Sequence, residues 1–570
     1  MKQRTDPLVA GRVLFYRGGG SLEWMQYEVD GKIYDTFCVE TDRLFWLARG
    51  KEVRMRKGRW QGGMLPETPS PETTIPAGEG VKSAQEQWAR EVVEADKWRE
   101  ALGGRALLEK EILALLKWQK TLPPQDRWRR IRTLVLTGAA RVLPGVETAG
   151  SALRRRCLRC GSGFGAIRKT VCARCEDICF YCDRCLVMGR SQSCMSLFLF
   201  EPLPWKARAP VNAELSFSLS SAQRAASRRC VQWWEEGKAD TLLLWAVTGA
   251  GKTEVLFQTL EQALSRRAPV LWAAPRRDVV VEVADRLSQA FPTVNVVTLH
   301  GESGQTWNRG ELFVGTVHQA MRFYRCFSLV IIDEADAFPL QSHPSLQASL
   351  ERARRVDGKR VLVTATPPTS WKRSFRRHNW PVVTLRARHH GQPLPEPRII
   401  RAWGWYRRMM AGKPTAPLEA FVERVLQTDG QALVFVPRIA DGRQLISWLE
   451  KQLHLPADRV AFVSSREEER KRLVKEFRLG TLRLLVTTTI LERGVTVPRC
   501  HVLVAGADHP VFDAAALVQI AGRVGRSMEY QEGQVWFVSK VVTGEMVRAR
   551  EVIRSWNRRA HRELEEGKGG

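Results

Sequence analysis

Residues 246–253, Ala-Val-Thr-Gly-Ala-Gly-Lys-Thr, lie between two apolar segments and decide the fold of this chain. The preceding Thr-Leu-Leu-Leu-Trp is typical of a buried strand, and the following segment has helical spacing through Leu260 and Leu264. A strand, a glycine-rich turn ending in Lys-Thr and a helix bind nucleotide phosphates, because backbone N–H groups and a helix N-terminus face the anion. Ala246 stands where the full pattern has glycine, and its small side chain still suits the turn. We therefore predict a phosphate site formed by Thr248, Gly249, Ala250, Gly251, Lys252 and Thr253, with Lys252 on the outer phosphates and Thr253 on Mg²⁺.

The charge of the chain predicts a polyanionic partner. Lys and Arg number 89 against 61 acidic residues in 570, a formal net charge of +28. Nucleic acid is favoured over a membrane surface because no basic amphipathic anchor stands out. Residues 1–20 lack the apolar centre of a signal peptide, and no run of 18 apolar residues occurs. We expect a cytoplasmic protein, with peripheral association at the cytosolic face of the membrane left open.

The chain is long enough for several domains. Composition and periodicity predict a small β-rich module, a Pro-rich linker, a helical region, a cysteine-rich module and two consecutive α/β units. Their expected ranges are 1–65, 66–81, 82–150, 151–200, 215–395 and 396–570, respectively.

Eight of the 12 cysteines lie within 38 residues, which in a long cytosolic chain indicates metal binding rather than disulfides. They form overlapping Cys-x-x-Cys units, and the first of these is followed by a glycine that permits a tight zinc-binding turn. Spacing alone leaves open whether they make two four-cysteine zinc sites or one site with spare residues. The eight are Cys157, Cys160, Cys172, Cys175, Cys179, Cys182, Cys185 and Cys194.

Two adjacent carboxylates follow the apolar run 329–332, downstream of the phosphate site. At the end of a buried strand, Asp333 can hold Mg²⁺ and Glu334 can orient and deprotonate an attacking water. Upstream of the phosphate site, Gln223 carries an amide that can pair with adenine.

Residues 519–526, Gln-Ile-Ala-Gly-Arg-Val-Gly-Arg, place two arginines three positions apart in the second α/β unit. This spacing puts both guanidinium groups on one side of a helix or turn. Arg523 and Arg526 are therefore suited to clasping the γ-phosphate from across a cleft.

The ordered motifs resemble those of superfamily 2 helicases and translocases. They comprise Gln223, GAGKT at 249–253, DEAD at 333–336, TAT at 364–366, TTTILERG at 487–494 and QIAGRVGR at 519–526. The resemblance covers roughly residues 215–545 and implies two RecA-like domains that clamp ATP and move along nucleic acid. It implies phosphate and Mg²⁺ binding by Lys252 and Thr253, the roles given above for Asp333 and Glu334, and arginine fingers at Arg523 and Arg526. The resemblance also implies sequence-independent contacts to DNA phosphates by three residues at strand ends, Arg276, Thr316 and Thr487.

A closer resemblance is to the ComFA family of late competence ATPases. It is carried by a four-cysteine module ahead of the motor, by Met-Gly-Arg at 188–190, by DEADAFP at 333–339 and by HGQPLP at 390–395. It implies zinc ligands at Cys157, Cys160, Cys182 and Cys185, and leaves a second zinc open at Cys172, Cys175, Cys179 and Cys194. It further implies an ATP-driven motor that helps import single-stranded DNA. Its implied partners are other competence proteins at the inner face of the uptake channel, and the resemblance leaves open whether the chain forms a homo-oligomer.

Two alternatives share part of these features. The segment VTGAGKTEV at 247–255 looks like the VTGSGKTEV of PriA-type helicases. The first alternative is therefore a PriA-like replication-restart DNA helicase or an RNA helicase. In PriA the zinc module lies between the motor domains, whereas here it precedes both, which favours ComFA. The other alternative is a non-catalytic zinc DNA-binding adaptor, against which the intact Lys252, Glu334 and Arg526 argue.

Overall fold

A computed structural model describes most of the chain from residue 77 onward. Its described ranges are 77–119, 127–148, 152–204, 210–215, 217–266, 269–340, 342–388, 391–464, 469–489, 499–525 and 533–566. Of the first 65 residues it describes five strands, which pair antiparallel as one three-stranded sheet and one hairpin. These strands are Val13–Arg17, Glu23–Val29, Lys32–Phe37, Lys51–Arg56 and Arg59–Met64.

The first α/β unit, residues 215–395, is here called lobe 1, and the second, residues 396–570, is called lobe 2. Lobe 1 is built on a seven-stranded sheet in which every neighbouring pair of strands is parallel. In spatial order its strands are Val296–Leu299, Leu312–Thr316, Val270–Ala274, Phe327–Ile332, Arg354–Thr364, Thr241–Ala246 and Val382–Leu385. Helices cover the sheet, and a buried parallel sheet explains the nearly continuous apolar runs of these strands. The helices are Ser221–Glu236, Lys252–Val255, Phe257–Ser265, Arg277–Ala290, Pro344–Ala353 and Thr369–Arg377, with a 3₁₀ helix at Val317–Arg322.

Lobe 2 repeats this architecture with six parallel strands. Their spatial order is Arg398–Arg401, Val535–Ser539, Cys500–Ala505, Gln431–Phe435, Leu484–Thr487 and Val460–Val463. Its helices are Trp405–Met410, Ala416–Leu426, Ile439–Leu453, Arg470–Arg478, Ala514–Ala521 and Gly544–Glu566. The two lobes confirm the α/β fold class expected from the sequence, two tandem RecA-like domains.

The two lobes share one continuous cluster of buried apolar side chains, which includes Leu244 of lobe 1 and Phe435 of lobe 2. The last helix, Gly544–Glu566, contributes Trp556 to that cluster. Asn557 of the same helix exchanges two 2.8 Å hydrogen bonds with the backbone of Leu394, in the segment between the lobes. The lobes therefore meet as packed bodies.

A smaller unit precedes lobe 1 and differs from the sequence expectation. Residues 82–150 were expected to be helical, but they also contain strands, two of which flank Ser196–Phe200 in an antiparallel sheet. The cysteine module is therefore inserted within this unit rather than following it. Short strands whose partner lies some 50–90 residues away leave no local periodic signal, which is why the pattern did not reveal them. The elements are the helices Ala77–Leu102, Glu109–Trp118 and Arg127–Leu136 and the strands Ala106–Leu108 and Ala140–Pro144.

The boundary of the expected linker also shifts. Helix Ala77–Leu102 begins inside the stretch 66–81, so the last five residues of that stretch are helical. No proline lies between 77 and 81, and the preceding Pro76 is compatible with a helix start. Residues 66–76 lie outside the described part of the chain.

The cysteine module consists of short strands and 3₁₀ turns. A hairpin pairs Ile167–Val171 with Ile178–Cys182, and a shorter ladder pairs Val146–Glu147 with Arg156–Cys157. The turns are Ala152–Arg154, Phe164–Ala166 and Asp183–Met188.

Candidate functional site: a cleft between two lobes and a paired cysteine module

The phosphate-binding sequence forms a tight turn at the carboxyl end of strand Thr241–Ala246. Gly249 and Gly251 take φ values of 80° and 76°, which a residue with a side chain rarely adopts. Lys252 and Thr253 begin the helix that follows, so its N-terminus faces the turn. The hydroxyl of Thr248 is buried and makes no hydrogen bond within the described residues, leaving an oxygen available to a ligand. The turn therefore fits the phosphates of a nucleoside triphosphate, which Lys252 and Thr253 would hold with Mg²⁺.

Gln223 contacts the phosphate turn directly. Its Nε2 donates a 2.9 Å hydrogen bond to the carbonyl of Ala250, and its Oε1 accepts one of 2.8 Å from the N–H of Ser220. The side chain is 4% exposed and packs closely against Gly251. A Cβ atom added to Gly251 would lie 2.3 Å from Nε2 of Gln223 and would clash with it. In this arrangement the amide supports the turn, while the adenine contact expected from the sequence stays a prediction.

Asp333 and Glu334 lie at the end of strand Phe327–Ile332, on the same edge of the sheet as the phosphate turn. Asp333 is 7% exposed, and its Oδ1 accepts a 2.8 Å hydrogen bond from the N–H of Glu334. Glu334 has φ 49°, a left-handed conformation that is uncommon for a non-glycine residue. Such backbone conformations cluster at functional sites because the surrounding structure must hold them.

The third acidic residue of this segment ties it to the next strand. Both oxygens of Asp336 accept 2.6 Å hydrogen bonds, one from the hydroxyl of Thr364 and one from that of Thr366. The backbone adds a 3.1 Å bond from the N–H of Ala335 to the carbonyl of Val363. The two threonines of TAT therefore hold the carboxylate segment in place.

Lobe 2 presents the turn after helix Ala514–Ala521 to this half-site. Arg523 is 4% exposed in that turn, and a Cβ on Gly522 would lie 2.0 Å from the Thr248 hydroxyl oxygen. The phosphate turn and the arginine turn are thus in close contact across the cleft. Arg526, the second arginine of the motif, lies outside the described residues.

Arg388, a residue that the sequence did not single out, connects the two turns. It extends from the end of the last lobe 1 strand, is 3% exposed, and lies 3.8 Å from a Cβ built on Gly249. Its Nη1 donates a 2.6 Å hydrogen bond to the carbonyl of Gly525, and its Nη2 one of 3.4 Å to that of Gly522. In a chain with 89 basic residues a lone arginine carries no sequence signal. Only the folded structure shows that Arg388 lies close to both turns.

The three residues expected to contact DNA lie at strand ends but differ in access. Arg276 is partly exposed and donates a 3.3 Å hydrogen bond from Nη1 to the carbonyl of Thr489 in lobe 2. Thr316 is partly exposed at the end of its strand. Thr487 is fully buried and donates its hydroxyl to the carbonyl of Thr488, so it faces the interior of lobe 2 in this arrangement.

The structure gathers the eight cysteines into two groups of four, and within each group the sulfur atoms all lie within 4.8 Å of one another. The groups are Cys157, Cys160, Cys182 and Cys185, here called cluster A, and Cys172, Cys175, Cys179 and Cys194, here called cluster B. In cluster A all four residues are buried, and their sulfur atoms approach one another at 3.7 Å and 3.6 Å. Four buried thiolates at this spacing fit a tetrahedral Zn²⁺ site.

Cluster A packs onto lobe 1. Its cysteines share a buried apolar cluster with Leu346 and Leu350 of helix Pro344–Ala353. Arg352 of that helix donates a 3.0 Å hydrogen bond to the carbonyl of Leu158 and another to that of Arg159. Burial is the main cause that lowers the pKa of Arg352, to about 10, so the guanidinium remains charged at neutral pH.

A buried ion network joins the same surfaces. Glu111 of the small unit accepts hydrogen bonds of 2.7 Å from both Arg159 of the cysteine module and Arg322 of lobe 1. Arg105 donates to three carbonyls of residues 306–308 at 3.2–3.3 Å. The small unit, cluster A and lobe 1 are therefore connected by charged hydrogen bonds as well as by apolar contacts.

Two RecA-like lobes with a phosphate turn, a DEAD segment and an arginine turn on facing edges define a superfamily 2 helicase-like ATPase. Comparison with family models agrees. The DEAD/DEAH box helicase model matches residues 222–374, the helicase conserved C-terminal domain model matches 417–528, and the competence protein ComFA N-terminal domain model matches 92–199.

The relatives identify the family. The chain is similar to Competence protein ComFA of Bacillus subtilis, with 36% identity over 66% of this chain and 80% of that protein. It is also similar to Competence protein ComFA of Streptococcus pneumoniae, with 33% identity over 69% of this chain and 91% of that protein. ATP-dependent DNA helicase RecG of Thermotoga maritima matches at 25% identity over 55% of this chain and 41% of that protein. The chain belongs to the ComFA family.

Among the helices of the described residues, none has both the length and the apolar character that a membrane span requires.

Proposed function

We propose that this protein is a DNA-stimulated ATPase that moves along single-stranded DNA and helps to draw it into the cytoplasm during natural transformation. The observation that carries the proposal is the contact between the phosphate turn and the arginine turn, because a hydrolytic cleft of this class needs both halves. ComFA family membership supports the competence role, and the net charge of +28 supports a polyanionic substrate. We propose a cytoplasmic protein that works at the inner face of the uptake channel with other competence proteins; whether it also forms a homo-oligomer is open to test.

We infer the residue roles from the motifs, supported by the burial of Asp333 and Arg523 at the facing edges of the two lobes. Lys252 and Thr253 hold phosphate and Mg²⁺, and Asp333 shares the metal. Glu334 positions the attacking water and accepts its proton, and Arg523 with Arg526 stabilises charge on the transferred phosphoryl group. Bound ATP with Mg²⁺ would supply the reacting phosphoryl group.

The metal and DNA sites complete the proposal. Cluster A holds a structural Zn²⁺ that fixes the cysteine module against lobe 1. Arg276 and Thr316 contact DNA phosphates, whereas Thr487, which is buried in this arrangement, would reach DNA only if the lobe rearranged. The ranges 1–65, 77–200, 215–395 and 396–570 are proposed as the structural units, with the cysteine module inserted in the second.

ATPase activity of the full chain, with and without oligothymidylate, tests the motor proposal. We expect stimulation by single-stranded DNA, loss of activity in Lys252→Ala, and retention in Lys238→Ala, which removes an exposed lysine of the same lobe. Glu334→Gln should keep nucleotide binding while hydrolysis falls by about 10²–10⁴-fold. DNA-stimulated hydrolysis that survives in Lys252→Ala would show that the proposed site is not the active one.

The alternatives separate on the nucleic acid that stimulates turnover. RNA as the better activator would favour an RNA helicase, and a forked duplex would favour a PriA-like restart helicase. No turnover with any of the three would favour a zinc-dependent DNA-binding adaptor.

A further inference from the structure

Cluster B lies at the end of the hairpin formed by Ile167–Val171 and Ile178–Cys182. Cys172 and Cys179 are buried, Cys194 is partly buried and Cys175 is exposed. None of the four belongs to the cleft or to cluster A, so the proposed ATPase makes no use of them.

Cluster B repeats the backbone turn of cluster A. In cluster A the N–H of Gly161 donates to the carbonyl of Cys157 at 2.8 Å, and the N–H of Cys157 donates to the carbonyl of Ser162 at 2.8 Å. Cluster B has the same two bonds at the same offsets, from Glu176 to Cys172 at 2.8 Å and from Cys172 to Asp177 at 3.0 Å. This turn aims both sulfur atoms of a Cys-x-x-Cys unit at one point.

The residue after the second cysteine has the same conformation in both turns. Gly161 has φ 82°, and Glu176 has φ 55° although it carries a side chain. A left-handed conformation costs a non-glycine residue free energy. Its presence at Glu176 indicates that the turn is held by an interaction stronger than the local preference of the chain.

The sulfur distances fit a shared metal ion. The Sγ of Cys194 lies 3.7 Å from that of Cys172 and 3.5 Å from that of Cys179. Zn–S bonds of about 2.3 Å at tetrahedral angles place sulfur atoms about 3.8 Å apart, whereas a disulfide would bring two of them to about 2.05 Å. Each cluster also places a serine hydroxyl 3.1 Å from a cysteine sulfur, Ser162 in cluster A and Ser193 in cluster B.

The hairpin end has little apolar packing to hold it. Val171 and Ile178, which face each other across the last pair of the hairpin, are 81% and 51% exposed. Cluster A shares a buried apolar cluster with lobe 1, but no cysteine of cluster B belongs to it. A segment that exposes its apolar residues needs another source of stability, and metal binding is the usual one in small cysteine-rich units.

We propose that Cys172, Cys175, Cys179 and Cys194 bind a second Zn²⁺ ion, which holds the end of the hairpin independently of cluster A. Strand Ile178–Cys182 then supplies one ligand to each metal, Cys179 to cluster B and Cys182 to cluster A. The second site does not depend on the proposed motor function, because none of its ligands contacts the cleft.

The zinc content of the purified full chain tests this proposal, and we expect two ions per chain. Cys172→Ser combined with Cys175→Ser should leave one ion, whereas Cys230→Ala, which removes a buried cysteine of lobe 1, should leave two. One ion in the wild-type protein, or two in the double variant, would overturn the proposal. ATPase activity of the double variant reports separately on the motor.

Alkylation of the wild-type protein gives a second test that needs no variant. Cys175 is exposed, so as a free thiol it would be accessible to iodoacetamide. We expect its alkylation to be slow in the protein as purified and to accelerate at least tenfold when a zinc chelator is added. Rapid alkylation of Cys175 before chelation would contradict a metal at cluster B.

Discussion

The two faces of the cleft are built in different ways. On lobe 1 the site residues are held by contacts within that lobe, such as Gln223 with Ala250 and Asp336 with Thr364. On lobe 2 the arginine turn accepts hydrogen bonds from Arg388 of the other lobe. The lobe 1 face is therefore held in place without lobe 2. The geometry of the lobe 2 face, in contrast, depends on how the two lobes contact each other.

This difference indicates where binding and chemistry should separate. A site complete within lobe 1 can bind nucleotide whether or not the cleft is closed. Stabilisation of the transition state requires lobe 2 and hence the closed arrangement. DNA bound across both lobes would favour hydrolysis by favouring that arrangement.

The largest effect is expected at Arg523. Arg523→Ala should lower kcat of the DNA-stimulated ATPase by about 10³-fold or more, because an arginine that stabilises the transferred phosphoryl group contributes on this scale. Nucleotide affinity, measured with a fluorescent ATP analogue, should change less than threefold. An equal loss of affinity and kcat would break the comparison, since lobe 2 would then be part of the ground-state binding site.

The next effect is expected at Arg388, whose buried hydrogen bonds to Gly522 and Gly525 join the faces. A hydrogen bond from a charged group contributes about 1.5–3 kcal/mol, so losing the shorter of the two bonds in Arg388→Ala should lower kcat by roughly 10–100-fold.

Arg470 offers a matched control for this variant. It forms an ion pair between the lobes, with Asp278, and the two side chains are 28% and 43% exposed. A partly exposed ion pair contributes at most about 1 kcal/mol. Arg470→Ala should therefore change kcat less than fivefold. If both variants lose activity equally, lobe contact in general matters, and the position beside the phosphate turn does not.

A smaller effect on stability is expected within lobe 1. Thr364→Val removes a buried hydroxyl that donates to Asp336 while nearly keeping the side-chain shape. The free energy of unfolding should fall by about 1.5–3 kcal/mol in urea titrations followed by a lobe 1 signal. Thr366→Val, at a partly exposed position, should cost less. A larger loss in Thr366→Val would show that burial does not set the strength of this contact.

The segments that form the lobe 1 face could be located from the sequence because each of them is local. The phosphate turn and the DEAD segment are short runs in which the strand, the turn and the functional side chain are neighbours along the chain. The α/β repeat was visible for the same reason, since buried parallel strands are short apolar runs between helical patterns.

What the sequence did not reveal depends on contacts between distant residues. Arg388 is one basic residue among many until the structure places it between Gly249 and Gly525. The sheet that brackets the cysteine module pairs strands at 106–108, 140–144 and 196–200, too short and too far apart to recognise. Spacing alone left the grouping of the eight cysteines open, and the two sets of four implied by the ComFA resemblance are the sets that the structure brings together.

The smallest effect concerns acid stability, where the lobes can be compared through one histidine in each lobe whose pKa is lowered. His501 in lobe 2 is 3% exposed, and its Nδ1 accepts a 3.3 Å hydrogen bond from the N–H of Gln534. Burial, and then the charge of Arg483, lower the pKa of His501. Burial, and then the neighbouring His343, likewise lower the pKa of His318 in lobe 1.

For both histidines the folded protein favours the neutral ring. Their contribution to stability is therefore complete above the unfolded pKa of about 6.5 and is lost as pH falls below it, towards and through the folded pKa. Between pH 7.5 and 5.5 the wild-type protein should lose more unfolding free energy than His501→Gln, because only the wild-type protein has to protonate this ring. His318→Gln, measured beside it, gives the lobe 1 value. Because protonating His501 also breaks its bond from Gln534, we expect the larger difference for lobe 2. Equal pH dependence in His501→Gln and the wild-type protein would mean that this ring does not set the acid limit of lobe 2.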